Sequence, residues 1–116
     1  LLGPLHNLLR ASGIAANLRS RNVPLISGSR DLVEAGHVPR GTKRNLEALV
    51  ASVSFADSVD AFSRTLLGDA QTSGGLLMCV SPDAVDALLL DLEGRSPVAA
   101  VIGEVVAGTA GRISVE

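Results

Sequence analysis

The sequence has almost no aromatic residues: its 116 residues include no Trp, no Tyr and only two Phe. A hydrophobic core must therefore be aliphatic, and the 47% of hydrophobic residues supplies enough Leu, Val, Ile and Ala to build one. Proteins that bind single-stranded nucleic acid stack bases on aromatic side chains, which are missing here. The formal net charge of −2 also lacks the basic footprint of nucleic-acid binding. We therefore expect no nucleic-acid partner.

Cysteine, histidine and long apolar runs are scarce as well. A single cysteine, Cys79, excludes an internal disulfide, and two scattered histidines give no familiar metal-ligand spacing. Cys79 lies in a short apolar run, which is typical of a buried, unreactive thiol. No apolar run approaches the roughly 18 residues of a membrane span, and no basic stretch begins a signal peptide. We expect a cytoplasmic protein without a membrane partner.

The chain opens in mid-pattern on Leu1, Leu2 and Gly3, without a Met. This opening predicts a piece of a longer protein. Its length fits one domain, because domains commonly run roughly 100–200 residues. No repeat or linker divides the chain, so residues 1–116 are predicted to form a single domain.

Helical and strand patterns alternate irregularly, which favours an α+β layered domain with a mixed, largely antiparallel sheet of about four strands covered by helices. The period of the apolar residues predicts the helices. These cover residues 4–12, 29–35, 42–50, 57–67 and 82–92. The predicted strands cover residues 14–19, 76–80, 98–106 and 112–115.

Several local details follow from residue type. Thr42 is predicted to cap the third helix and Asp57 the fourth. The apolar run over residues 76–80 is typical of a central strand buried on both faces. The last two strands are predicted to pair as a hairpin.

A polar, glycine-rich loop over residues 69–75 is the strongest local feature. Its hydroxyl groups and unhindered backbone N–H groups could cradle an anion. The candidate residues for that contact are Thr72, Ser73, Gly74 and Gly75. The alternative is a tight turn that delivers the chain into the following strand. The loop lacks the Gly-Lys-Ser/Thr ending of a phosphate-binding P-loop, so the residues alone favour the turn.

A second candidate is a basic cluster formed by Arg40, Lys43 and Arg44 at a helix start, where the helix dipole disfavours positive charge. A bound anion would explain the pattern. The alternative, which the residues alone favour, is a solvated basic corner.

His6 and His37 have no Ser or Cys partner arrangement. We therefore predict no catalytic residue and no metal ligand in this chain.

Four segments, in order, resemble motifs of the selenophosphate synthetases (selenide, water dikinases). Residues 67–77, Leu-Gly-Asp-Ala-Gln-Thr-Ser-Gly-Gly-Leu-Leu, resemble the family's Asp-Pro-Gln-Thr-Ser-Gly-Gly-Leu-Leu. Residues 1–3 resemble the end of Thr-Gly-Phe-Gly-Leu-Leu-Gly-His. Residues 38–45 resemble Val-Pro-Gly-Gly-Thr-x-x-Asn, and residues 102–105 resemble Ile-Gly-Glu-Val.

Two positions depart from the family pattern. Pro4 stands in place of the family's His, and Ala70 stands where Pro is common. The resemblance implies a C-terminal domain of the kind that aminoimidazole ribonucleotide synthetase also has. The enzyme that it implies converts ATP, selenide and water into selenophosphate, AMP and phosphate, with magnesium.

The resemblance also implies that the catalytic groups lie in a different domain from residues 1–116. The family's reactive Cys or selenocysteine, its Lys, its glycine-rich segment and its metal-binding Asp residues precede the part that this chain matches. ATP and magnesium would be held mainly by that N-terminal domain, and the full-length enzyme is expected to be a homodimer. This chain would not be catalytic by itself.

Two other interpretations stay open. The chain could be the equivalent domain of another ATP-using relative, namely aminoimidazole ribonucleotide synthetase or the hydrogenase maturation protein. It could instead be a free-standing module that binds an anion or another protein.

Overall fold

The protein is described here by a computed structural model that covers residues 1–116. A four-stranded sheet organises the chain, with helices between the strands. The elements follow in the order α1 (Leu2–Ser12), β1 (Ala15–Leu18), a 3₁₀ turn (Ser20–Asn22), α2 (Ser29–Glu34), α3 (Arg40–Leu49), β2 (Val53–Phe55), α4 (Ala61–Leu67), a second 3₁₀ turn (Pro82–Ala84), α5 (Val85–Leu92), β3 (Gly103–Val106) and β4 (Ile113–Val115).

The sheet is mixed, with strand order β2-β4-β1-β3. This architecture confirms the predicted α+β class and the predicted number of strands. The expectation of a largely antiparallel sheet is wrong, because β4 pairs in parallel with both β1 and β2 and only β1–β3 is antiparallel. The reason is that β4, the last strand, inserts between β1 and β2, which are joined by helices.

The predicted hairpin of the last two strands does not form. Strand β1 lies between β3 and β4 and pairs with one of them on each side. Residues 107–112 carry the chain past the end of β1, where the N–H of Gly111 donates to the carbonyl of Ile14 at 2.9 Å. Strand β3 also begins at Gly103, later than the predicted residue 98.

The core is aliphatic, as the composition predicted. Its side chains come from α1, α3, α4 and the turn before it, and one face of the sheet. The cluster comprises Leu2, Leu5, Leu9, Ala16, Leu18, Leu49, Val53, Val59, Leu67, Ile113 and Val115. Since successive side chains of a strand point to opposite faces, the other face carries a polar row. That row is Ser54, Ser114, Asn17 and Glu104, in register across all four strands.

Residues 76–80 are not a strand, which corrects the prediction of a buried central one. Leu76 is 84% exposed, and Cys79 is exposed rather than buried. Both edges of β1 are already occupied by β3 and β4, so the segment has no place at the centre of the sheet. A short apolar run identifies a buried strand only when a partner edge exists, and periodicity does not reveal that edge.

Two predicted helix caps are also wrong. Helix α3 begins at Arg40, after Pro39, so that Thr42 lies inside its first turn and does not cap it. Helix α4 is capped by Asp60, whose carboxylate accepts from the N–H of Ser63 at 2.7 Å, and not by Asp57. The pKa of Asp60 lies below its ordinary value because its carboxylate accepts hydrogen bonds from Ser63. The bond from the Ser63 hydroxyl has the larger effect, and the bond from the Ser63 N–H has the next largest.

Helix α1 confirms the predicted first helix and starts two residues earlier than expected, with Pro4 in its first turn. Gly13 ends it in the left-handed conformation, at φ 70°. Strand β2 was not predicted, because three residues are too few to show a period. None of the helices combines the length and the apolar character that crossing a membrane demands.

Replacing Gly103 by Ala is expected to destabilise the fold by about 1–3 kcal/mol. A Cβ at this position would collide with the backbone carbonyl of Asn17 on β1, which cannot move without breaking the β1–β3 pairing. Gly3→Ala is the matched control: a Cβ there meets nothing within 4 Å, and Ala favours a helix by about 0.5–1 kcal/mol. Urea unfolding measures both. A Gly103→Ala variant as stable as the wild type would contradict the close approach of β3 to β1.

Candidate functional site

The two motif segments around residues 42 and 69 meet in the structure. The Thr42 hydroxyl donates to Asp69 Oδ1 at 3.0 Å and accepts from the N–H of Ala70 at 3.3 Å. Thr42 is only 1% exposed, and both of these bonds are part-buried. We call this pair of bonds the Thr42 clasp. It ties the start of the polar loop to the first turn of α3.

Further contacts extend the clasp along α3. The side-chain amide of Asn45 donates to the carbonyl of Gly68 at 3.0 Å. A Cβ at Gly41 would lie 2.8 Å from the Cβ of Ala70, and a Cβ at Gly68 would lie 2.6 Å from Leu46. Neither glycine has a positive φ. Both are therefore required by close approach rather than by backbone conformation.

Helical spacing explains why α3 can hold the loop. Residues 42, 45, 46 and 49 recur at intervals of three and four, which places them on one face of a helix. Leu49 anchors that face in the core, and Leu46 is half-buried against it. The two polar members, Thr42 and Asn45, are then the side chains that reach the loop backbone.

Beyond the clasp the loop is open. Thr72, Ser73, Gly74 and Gly75 are all exposed. The hydroxyls of Thr72 and Ser73 make no hydrogen bond within the chain, and neither glycine has a positive φ. A Cβ at Gly75 would meet nothing within 4 Å. Packing within the chain therefore does not require glycine at position 75.

The basic cluster lies on the same helix as the clasp and points elsewhere. Arg40, Lys43 and Arg44 are exposed. Because Arg40 and Arg44 each stand two positions from Thr42, they occupy the opposite side of α3. Lys43 forms an exposed ion pair with Glu47 at 3.9 Å, and such pairs contribute little stability. The structure thus brings the loop and α3 together without turning the cations toward the loop.

The Asp69 carboxylate acts electrostatically on the start of the chain. Half-burial lowers the pKa of the Leu1 α-amino group from its ordinary value of 8.0, and the Asp69 carboxylate opposes that shift. Asp69 does not form an ion pair with this amino group, whereas it does accept a hydrogen bond from Thr42.

Other polar features are separate from this loop. His6 Nδ1 lies 2.8 Å from the carbonyl oxygen of Gly111, which ties α1 to the turn before β4. A surface cavity of about 340 Å³ is lined by residues such as Asn17, Phe55 and Ser114, at the sheet. No three His, Cys, Asp or Glu side chains group together in a way that could hold a metal ion.

The clasp is not among the features predicted from the sequence. Thr42 is predicted there as a helix cap, and Asp69 as part of a separate loop. One signal was available: two polar residues, Thr42 and Asn45, share a face with the apolar Leu46 and Leu49. Polar side chains on the inward face of a helix are usually hydrogen-bonded, which predicts a partner for them.

Comparison with known proteins places this geometry in a family. Residues 1–116 match the family model described as AIR synthase related protein, C-terminal domain. The chain is 35% identical over 112 residues to a "Selenide, water dikinase" of Dechloromonas aromatica (strain RCB), covering 96% of this chain and 32% of that relative. A relative of the same name from Paraburkholderia xenovorans (strain LB400) is 40% identical over 117 residues, covering 99% and 32%.

A third relative, also named "Selenide, water dikinase", comes from Myxococcus xanthus (strain DK1622) and is 40% identical over 111 residues, covering 96% and 32%. The chain therefore spans about a third of the length of the curated relatives it matches. These matches confirm the resemblance to selenophosphate synthetases that the four motifs indicated.

The close approach of loop and helix can be tested by exchanging one methyl group. Gly41→Ala is expected to destabilise the protein, because its Cβ must push residue 70 away, and this strain outweighs the gain of about 1 kcal/mol that Ala brings to a helix. Ala70→Gly removes the methyl group that is in the way.

The double variant is therefore expected to be more stable, by about 1 kcal/mol or more, than the sum of the two single effects predicts. Urea unfolding of the wild type, both single variants and the double variant gives this coupling. Strictly additive effects would contradict the contact between residues 41 and 70.

Proposed function

The chain belongs to the family of AIR synthase related protein C-terminal domains, and from that membership we propose that it is the C-terminal domain of a selenophosphate synthetase. The full-length enzyme would convert ATP, selenide and water into selenophosphate, AMP and phosphate. Two observations support the proposal. The relatives named above share the name selenide, water dikinase, and each is matched over about a third of its length, as one domain of a longer enzyme would be.

Residues 1–116 would act as one domain without being catalytic alone. This chain groups no carboxylates or imidazoles into a metal site, so ATP and magnesium would be held mainly by an N-terminal domain of the same protein. Magnesium would neutralise phosphate charge there. The full-length enzyme would be a cytoplasmic homodimer.

One observation carries the role of the loop: α1 begins near α3 and the base of the loop, since Leu2 lines one cavity with Leu46 and Leu49. The Asp69 carboxylate also acts on the charge of the Leu1 nitrogen. A domain that precedes Leu1 would therefore be attached next to residues 69–75. Thr72 and Ser73 have hydroxyls without partners in the chain, and Gly75 leaves room for a phosphate to approach its N–H. We propose that residues 72–75 close over the phosphates held by the N-terminal domain.

Hydrogen bonds to charged phosphate oxygens are the chemistry that this loop could supply. Phosphoryl transfer depends on positioning and on stabilising the charge of the transferred group rather than on covalent help from the protein. Hydroxyl and backbone N–H donors provide both, and bonds to a charged acceptor are stronger than neutral ones. The chain's contribution would be to orient the phosphates and to exclude water from them.

The basic cluster would give a second anion contact. Arg40 and Arg44 have exposed guanidinium groups that no carboxylate of the chain pairs with. Because they face away from the clasp, they would bind an anionic group at the opposite side of α3. A merely solvated basic face is the alternative.

Two rival functions remain to be distinguished. The domain could serve aminoimidazole ribonucleotide synthetase or the hydrogenase maturation protein, or it could be a free-standing anion-binding module. The sequence that precedes Leu1 separates them. Asp-x-Thr-Gly-Phe-Gly before Leu1 supports the selenophosphate synthetase, whereas an initiator Met in that place supports the module.

The proposal predicts that the longer protein forms AMP from ATP only when selenide is present, and that residues 1–116 alone do not. Thr72→Val and Gly75→Ala in the longer protein are each expected to lower kcat/KM about 10- to 100-fold. Loss of one hydrogen bond to a charged group corresponds to about 1.5–3 kcal/mol. AMP formation measured by chromatography gives both rates.

Thr109→Val is the matched control, because Thr109 is exposed and its hydroxyl has no partner in the chain. This control should keep the wild-type rate. Wild-type rates for both Thr72→Val and Gly75→Ala would mean that the loop is only a structural turn and does not contact the phosphates. AMP formation by residues 1–116 alone would refute the proposal that this domain is not catalytic by itself.

A further inference from the structure

The polar loop is fixed at its base and unsupported beyond it. Gly68, Asp69 and Ala70 are each held by a side chain of α3. No backbone–backbone hydrogen bond involves residues 71–80. The position of residues 72–75 is therefore set by how the chain leaves Ala70.

Thr42 is the innermost of these supports. It is 1% exposed and makes two bonds with one hydroxyl, to the carboxylate of Asp69 and to the N–H of Ala70. If this hydroxyl were lost, both partners would stay in a half-buried place without a substitute. Asn45 makes a single part-buried bond, to the carbonyl of Gly68, so its loss should loosen the loop less than loss of the Thr42 hydroxyl.

We infer that Thr42 is a positioning residue: through Asp69 and Ala70 its hydroxyl holds residues 72–75 in the conformation that receives the phosphates of the nucleotide. Thr42 does not touch the nucleotide itself. This inference rests on the proposed function, and it adds a residue that the loop motif alone does not include.

Thr42→Val tests the inference, because Val keeps the size and β-branching of Thr and removes only the hydroxyl. In the longer protein, we expect the KM for ATP to rise about tenfold with kcat changed less than about threefold, since binding that ground state and transition state share equally is what is lost. Thr42→Ser restores the hydroxyl and should return the KM to within about threefold of the wild type.

Thr65→Val is the matched control. The Thr65 hydroxyl donates to the carbonyl of Ala61 at 2.9 Å on α4, away from the loop. This variant removes a hydroxyl hydrogen bond of similar length, and it should leave the KM for ATP unchanged. A KM that rises equally in Thr42→Val and Thr65→Val would show a general effect of lost helix hydroxyls and would overturn the inference.

Amide hydrogen exchange of Gly68, Asp69 and Ala70, whose N–H groups are hydrogen-bonded at the base of the loop, gives a readout that does not depend on activity when it is measured on the same variants without substrate. We expect faster exchange in Thr42→Val and wild-type exchange in Thr42→Ser and Thr65→Val. Unchanged exchange in Thr42→Val overturns the inference even if the enzyme is active. If the wild type forms no AMP from ATP and selenide, the proposed function fails, and the exchange data alone decide the role of Thr42.

Should Thr42→Val not fold, Asn45→Ala serves in its place. Asn45 is exposed, and Ala favours a helix, so folding is expected to persist. The exchange of residues 68–70 should rise by a smaller factor than loss of both clasp bonds would produce. No rise at all in Asn45→Ala would count against positioning of the loop by α3.

Discussion

One buried hydroxyl holds the candidate site together. Thr42 is 1% exposed and connects α3 to Asp69 and Ala70 with two part-buried hydrogen bonds. The other features of the site follow from it. Gly41 and Gly68 lack side chains because the loop must lie against the helix closely enough for these bonds to form. The segment beyond Ala70 then extends outward without further support.

The glycines around the site and the sheet are glycine for different physical reasons. At Gly41, Gly68 and Gly103 a Cβ would strike another part of the chain, so the fold itself demands glycine. At Gly75 neither φ nor a neighbour does. Gly75 therefore leaves its backbone open to a partner outside the chain, as the proposed contact of this loop with phosphates requires.

Local features could be predicted from the sequence, and long-range pairing could not. Gly13 was recognised as the end of α1, and the scarcity of aromatics correctly indicated an aliphatic core. The insertion of β4 beside β1 depends on contacts about a hundred positions apart along the chain, for which a local pattern holds no information. The exposure of residues 76–80 was missed for the same reason. The motifs located both halves of the site, but not the contact of Thr42 with Asp69.

A double-mutant cycle on Thr42→Val and Asp69→Ala, measured by urea unfolding, tests this contact most directly. The account predicts a coupling free energy of about 1 kcal/mol or more between the two positions, because each single variant already breaks the same bond. A coupling near zero would mean that the hydroxyl and the carboxylate stabilise the protein independently, and it would contradict the clasp on which the site depends.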